Sequence, residues 1–162
     1  MPPTGIHPIP DTNLPQVFGL LEILDDRNGR EDGYRLARDL NYDLGEFLKV
    51  MKAGEILGLI DTPGGDIVLQ PAGKQFLESD INQRKIMLRE RLREHGLFNY
   101  LIRLLKGHED QSLDKETVME HLVMLLPNED SERLFSTIVN WGRFAELFGY
   151  NKDEERFYLD QE

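Results

Sequence analysis

The side chains that could carry out chemistry are scattered along this sequence and match no established catalytic or metal-binding spacing. Cysteine is absent, which excludes disulfides, thiolate metal sites, iron–sulfur clusters and thiol nucleophiles. None of the four histidines belongs to a His-Glu-x-x-His pair or a comparable motif: His7, His95, His108 and His121. The pattern therefore predicts no metal site and no cofactor.

The motifs for nucleotide and acyl chemistry are also missing. The sequence contains no Gly-x-x-x-x-Gly-Lys-Ser/Thr loop, and Gly64-Gly65 falls in a predicted hairpin turn. No serine lies in a nucleophile elbow. The adjacent carboxylates Asp25-Asp26 and Glu154-Glu155 fall at helix ends and loops, where acids are normally solvated. We therefore expect no catalytic activity from this chain.

Composition and charge narrow the class of protein. The 162 residues are 40% hydrophobic and 30% charged, as in globular proteins, and the net charge is −11. Such an acidic surface repels phosphate backbones, so nucleic-acid binding would need a local basic patch. No signal peptide and no apolar run of about 20 residues is present. We expect a soluble, cytoplasmic protein that does not insert into a membrane.

The elements that must position any functional side chain can be predicted from periodicity. After a Pro-rich lead (1–12), Asn13 is a plausible N-cap for a first helix, and Asp43 for a third. Tyr34 falls on the predicted buried edge of a short second helix. Two β-prone runs around Pro63-Gly64-Gly65 read as a hairpin, and a further helix starts at Pro71. Three helices followed by a hairpin is the order of a winged helix.

The second half repeats this order. A long helix from 81 to 106, with a bend expected near Gly96, precedes a polar loop, two helices and a second hairpin. Residues 56–69 align with 146–159 without gaps at an offset of 90. We therefore predict a mainly α fold with small β-hairpins (α+β), built as two tandem winged-helix-like units joined by a long helix. The expected boundaries are a lead (1–12), unit one (13–80) and the long helix plus unit two (81–162).

A basic cluster occupies the predicted long helix. Residues 84–106 contain seven basic and two acidic residues, a local charge of +5, and the candidate contact residues are Arg84, Lys85 and Arg89. In one interpretation these charges are solvated and pair with acids elsewhere in the chain. In the other, they form a docking stripe for an acidic or phosphate-bearing partner.

An aromatic cluster, 141–150, lies at the junction between the last helix and hairpin. Phe144 and Phe148 are predicted core residues. Trp141 and Arg143 are open to two interpretations, because an indole beside an arginine can also anchor a partner. Together with Glu146, which follows Arg143 by three positions, they complete the set of candidate contact residues.

The winged-helix order raises an alternative function, a transcription regulator that binds DNA. A recognition helix should present basic and amide side chains to the groove. The third helix of each unit instead mixes bases with several acids, and neither hairpin tip contains an arginine. The electrostatics therefore disfavour nucleic acid as a partner.

Three stretches resemble a known family: Leu69-Gln-Pro-Ala-Gly-Lys74, Asp80-Ile-Asn-Gln-Arg-Lys85 and Trp141-Gly-Arg-Phe-Ala-Glu-Leu-Phe148. With weaker matches from Leu14 onward, the chain resembles the C-terminal AAA-associated domain that follows the ATPase cassette in nitrate/sulfonate/bicarbonate-type ABC importers. The resemblance covers nearly the whole chain after the lead.

The resemblance implies an accessory regulatory or interaction domain without catalysis. The implied partner is an ABC transporter ATPase cassette or its complex, and a second copy of the chain is a further candidate. The implied location is the cytoplasm, at the inner membrane face through a transporter complex. Walker and signature motifs are absent from the sequence, so the chain is expected to be either an excised domain or a free-standing homologue.

Overall fold

The computed structural model describes residues 5–159, and this part of the chain is mainly α-helical with two small antiparallel sheets, which confirms the predicted fold class. It divides into two compact units. The first unit is Pro10–Arg84, and the second unit is Lys85–Glu162 together with Met1–Ile9. No helix among the described residues has the length and apolar character that crossing a membrane requires.

The first unit contains four helices with three short strands between them. The strands form an antiparallel sheet in the order β1-β3-β2, so the last strand lies in the middle. The elements are α1 (Leu14–Asp26), β1 (Arg30–Asp32), α2 (Gly33–Asp39), α3 (Leu44–Ile56), β2 (Ile60–Asp61), β3 (Asp66–Leu69) and α4 (Pro71–Glu78).

Helix caps explain where these helices begin and end. The Asn13 side chain accepts a hydrogen bond from the Gln16 amide at 3.0 Å, and Asp43 accepts one from the Glu46 amide at 2.7 Å. Both N-caps are those predicted from the sequence. After α1, Asn28 and Gly29 adopt positive φ angles, the conformation that ends helices.

The second unit repeats the first in element order. Its strands again pair with the last strand in the middle, in the order β4-β6-β5. Helix α5 begins within the last residues of the first unit, and the remaining elements follow it: α5 (Ile81–Glu94), α6 (Gly96–Lys106), β4 (Ser112–Asp114), α7 (Lys115–Leu125), α8 (Ser131–Phe144), β5 (Gly149–Asn151) and β6 (Arg156–Tyr158).

The predicted long helix is interrupted, because His95 separates α5 from α6. A Cβ atom at Gly96 would overlap the Gly5 carbonyl, so the glycine allows the N-terminal segment to approach α6 closely. Ile9 is buried as well. Part of the Pro-rich lead is therefore packed against the second unit, whereas residues 1–4 of the predicted lead lie outside the described residues.

Corresponding residues of the two units are 88 positions apart in α3 and α8 but 90 positions apart in β3 and β6. Gly54 and Gly142, which are 88 positions apart, accept equivalent helix-ending bonds from Leu59 and Leu147. The paired central strands correspond at an offset of 90, since the second hairpin is two residues longer. The gapless alignment is therefore right for the last strand and two residues off at the helix end.

Candidate interaction surface

Arg84 is a structural residue of the first unit. Its guanidinium donates to the carbonyls of Phe76 at 2.9 Å and Leu77 at 3.0 Å, and it lies 5.0 Å from the centre of the Phe76 ring. Carbonyls in the last turn of a helix lack intrahelical partners, and a cation there also interacts favourably with the negative end of the helix dipole. Arg84 therefore stabilises the end of α4.

Lys85, Arg89 and Glu146 come together in the second unit, as a cluster that the sequence did not connect. The Lys85 ammonium lies 3.0 Å from the Glu146 carboxylate, and Arg89 lies 3.5 Å from it. Arg89 also donates to the Ala145 carbonyl at 3.0 Å, just beyond the end of α8. The hydrogen bond from Lys85 lowers the pKa of Glu146. These two cations therefore fasten α5 to the end of α8.

The backbone at Glu146 shows why this cluster is needed. Glu146 has a φ of +55°, and its counterpart in the first unit is Gly58, with a φ of +72°. A residue with a Cβ loses roughly 1 kcal/mol relative to glycine in this left-handed conformation. The contacts with Lys85 and Arg89 offset that cost.

The remaining two predicted contact residues, Trp141 and Arg143, lie in different environments. Trp141 is fully buried and its ring stacks on Phe98 with centroids 6.3 Å apart. This burial removes Trp141 from the candidate contact surface, because a side chain without exposed area cannot touch a partner. Arg143 is exposed on α8 and remains available.

An apolar groove in the first unit is the most exposed hydrophobic feature of that unit, and the sequence did not identify it. It encloses about 380 Å³, and α3 lines it with Leu44, Leu48 and Met51. Tyr34 is 77% exposed at its mouth, which corrects the prediction that this ring lies on a buried edge; Leu44 is 55% and Leu48 48% exposed. Helical periodicity places Leu48 and Met51 on the apolar face of α3, but it could not show that Leu48 stays exposed.

Small residues and internal bonds keep the groove open. A Cβ atom at Gly33 would lie 3.0 Å from the Gly65 carbonyl, so the hairpin turn approaches α2 closely at this point. Gly65 itself has a φ of +88°. The Asp66 carboxylate at the rim is paired with Arg30 at 3.0 Å.

The equivalent place in the second unit is occupied by charged residues. Asp32 and Asp114 hold the same sheet position and directly precede α2 and α7, so Gly33 corresponds to Lys115. The Lys115 ammonium lies 5.0 Å from the centre of the Phe135 ring and 3.6 Å from the Glu132 carboxylate. Leu44 and Leu48 correspond to Glu132 and Ser136 at the helix offset. The architecture therefore does not impose an apolar groove.

The exposed apolar groove of the first unit is a candidate contact surface. Residues 34–151 match the family model of the C-terminal AAA-associated domain, and the chain belongs to this family. It is thus an accessory domain of the kind associated with AAA-type ATPases. The comparisons with curated proteins and with solved structures gave no match.

Proposed function

We propose that this chain is a non-catalytic regulatory or interaction domain of an ABC importer ATPase subunit of the nitrate/sulfonate/bicarbonate type. It acts at the cytoplasmic membrane face by docking on the ATPase cassette or its complex. The observation that carries the proposal is the open groove of the first unit in a member of an ATPase-associated family. In this proposal each unit is a winged helix, and the first unit is the docking module.

The groove offers the energy that docking requires. Fully burying one leucine side chain stabilises a complex by about 1.5–3 kcal/mol, and Leu44 and Leu48 are both about half exposed. Tyr34 adds a large ring at the rim, and tyrosine is enriched among the residues that dominate binding energy. Ordering and association costs consume much of this gain. The result is a reversible contact, which suits a regulatory domain.

The same surface is a poor match for DNA. A recognition helix needs polar and basic side chains toward the groove of the duplex. The exposed residues of α3 include Leu44 and Leu48 as well as Lys49 and Lys52, and Asp43 and Glu46 lie at its N-terminus. The DNA-binding alternative gains no support here.

Binding of the purified ATPase subunit of such an importer tests the proposal. We expect the wild-type chain to bind it in biolayer interferometry, and Leu48→Glu to weaken binding at least about tenfold, because a carboxylate would have to enter an apolar groove. Val123→Glu is the matched control, since Val123 is 54% exposed on α7 of the second unit.

Two results would contradict the proposal: no binding by the wild-type chain, or equal binding by wild type and Leu48→Glu. A mobility shift with duplex DNA at low salt would favour the transcription-regulator alternative. Arg143→Glu provides a second probe, because Arg143 is, with Glu146, one of the two exposed residues among the contact residues predicted from the sequence. If Arg143 belongs to the contact, its reversal should slow association with an acidic partner.

A further inference from the structure

The wall of the groove has the length of two helical turns. Leu44, Leu48 and Met51 line it at positions i, i+4 and i+7 of α3. At 1.5 Å per residue this row spans about 10 Å. An amphipathic helix that enters such a groove presents its own apolar residues at the same spacing. The dimensions therefore fit a helical segment of a partner.

The acidic residues around this groove are engaged within the first unit. Asp66 is paired with Arg30, and Glu55 accepts a hydrogen bond from the Thr62 hydroxyl at 3.1 Å. On the other side of α3, Glu46 accepts a hydrogen bond from the side-chain amide of Gln16 at 2.8 Å. These carboxylates therefore have partners before any other protein arrives.

The lysines beside the groove are exposed without an ion-pair partner among the described residues. Lys52 follows Leu48 by one helical turn, and Lys49 precedes Lys52 by three residues on the exposed side of α3. Both are exposed, and neither forms an ion pair with any described residue between 5 and 159. Lys49 and Lys52 thus place positive charge on the exposed side of α3, while Glu46 and Glu55 keep their negative charge because their hydrogen-bond partners are neutral.

The second unit shows that these lysines accompany the open groove. At the helix offset of 88, Lys49 corresponds to Thr137 and Lys52 to Asn140. Thr137 is buried and Asn140 is exposed and uncharged, so neither equivalent position in the second unit carries a cation. The cations and the open groove therefore occur together in one unit and are both absent from the equivalent place in the other.

We propose that the groove binds an acidic amphipathic helix of the partner, with apolar residues at i, i+3 or i+4 and i+7 and with Asp or Glu on the flank that faces Lys49 and Lys52. This inference rests on the proposed function, because it names the chemistry of the segment that docks. The apolar residues supply affinity, and the carboxylates select the orientation and raise the association rate.

Two synthetic helical peptides test this chemistry without the ATPase. They share leucines at i, i+3, i+4 and i+7 and differ in the flanking residues, which are glutamate in one and lysine in the other. We expect the full chain to bind the glutamate peptide about tenfold more tightly in fluorescence anisotropy at low salt, because two exposed ion pairs each contribute up to about 1 kcal/mol. High salt should reduce this difference.

Substitutions in the chain locate the effect. Lys49→Glu with Lys52→Glu should reverse the peptide preference, and Leu48→Glu should weaken both peptides. Arg103→Glu with Lys106→Glu is the matched control, since both residues are exposed cations on α6 of the second unit. This pair should leave the preference unchanged.

Three outcomes would overturn the inference: equal affinity for the two peptides, preference for the lysine peptide, or an unchanged preference in the double lysine variant. Self-association of the chain that Leu48→Glu abolishes would assign the groove to a second copy and would also overturn it. If the glutamate peptide binds as expected but the ATPase subunit does not, the proposed function fails while the groove chemistry stands.

Discussion

The two units share one order of helices and strands, but at three corresponding positions the first unit has a small residue where the second has a larger one. Gly33, Ala53 and Gly58 of the first unit correspond to Lys115, Trp141 and Glu146 of the second. In the first unit, small residues leave a groove open and end α3 without strain. In the second, larger residues cover the same place, fill the core and connect α8 to α5.

This difference indicates that the units have different tasks. The second unit packs Trp141, Phe98 and Phe148 together, with ring centroids 6.3–6.4 Å apart for the contacts of Phe98. Burial of large aromatic rings is a main source of stability in a small domain. The first unit has most of its exposed large apolar side chains in the groove, whereas those of the second unit include Val123 and Met124 on α7.

The largest expected difference in stability comes from two corresponding glycines, Gly54 near the end of α3 and Gly142 near the end of α8. A Cβ atom at Gly142 would overlap the Phe148 ring, whereas one at Gly54 would lie 3.0 Å from the end of the Ile60 side chain. Gly142→Ala should therefore destabilise the second unit by about 2–3 kcal/mol. Gly54→Ala should change the stability of the first unit by less than about 1 kcal/mol, since the gain in helix propensity offsets a contact that Ile60 can relieve.

Urea unfolding followed by two probes can separate these effects. Trp141 is the only tryptophan of the chain and lies in the second unit, so its fluorescence reports that unit, while circular dichroism reports both. Similar losses for the two alanine variants would contradict the close packing of Gly142 on Phe148.

Substitutions at Glu146 and at its counterpart Gly58 should change stability less, and the direction of each change tests whether the left-handed backbone is strained. Glu146→Ala keeps the left-handed strain and removes the contacts to Lys85 and Arg89, so it should destabilise the second unit. Glu146→Gly loses the same contacts but relieves the strain, and it should be nearly neutral.

Gly58→Glu is the reciprocal change in the first unit. It should cost about 1 kcal/mol, because it introduces the strain without the two cations. Equal stability of Glu146→Ala and Glu146→Gly would mean that the left-handed backbone carries no strain, and the role given to the Lys85–Arg89 cluster would then be wrong.

Histidine gives the units different pH dependence. Burial lowers the pKa of His95, and repulsion from nearby His7 lowers it further, while the first unit contains no histidine. A depressed pKa means that the folded state binds fewer protons than the unfolded state. This stability is therefore complete above the ordinary pKa of about 6.5 and is lost as the pH falls through the folded value.

Unfolding monitored by Trp141 fluorescence should accordingly shift to lower urea between about pH 7.5 and pH 5.5. His95→Gln should reduce this shift, because glutamine cannot be protonated. A shift of the same size in the variant would show that another group controls the acid sensitivity of the second unit.

Helices and hairpins of both units could be predicted because periodicity, caps and turn residues are local signals. Strands β1 and β4 could not, since each has three residues and pairs with a strand far along the chain, as Glu31 does with Ile67. Helical periodicity placed Lys85 and Arg89 on the predicted long helix but assigned them to different faces, and it could not show that both contact Glu146. The exposure of Tyr34 was missed for the same reason, because exposure depends on which elements pack nearby.

Substitutions in and opposite the groove should have the smallest effects on stability. These small effects decide whether the groove is a docking surface. Leu48→Glu changes a half-exposed side chain, so the free energy of unfolding of the first unit should change by no more than about 0.5 kcal/mol. Lys115→Ala in the second unit removes a cation above Phe135 and a weak ion pair, and it should cost about 0.5–1 kcal/mol.

Hydrogen exchange measured by mass spectrometry can assign each change to its unit. If Leu48→Glu weakens binding and leaves the first unit stable, Leu48 is on the surface for the sake of a partner, and the contrast with Lys115 is functional. If it destabilises the first unit by more than about 1 kcal/mol, Leu48 supports the fold. Loss of binding by that variant would then follow from unfolding, and it would give no evidence that the groove is a docking surface.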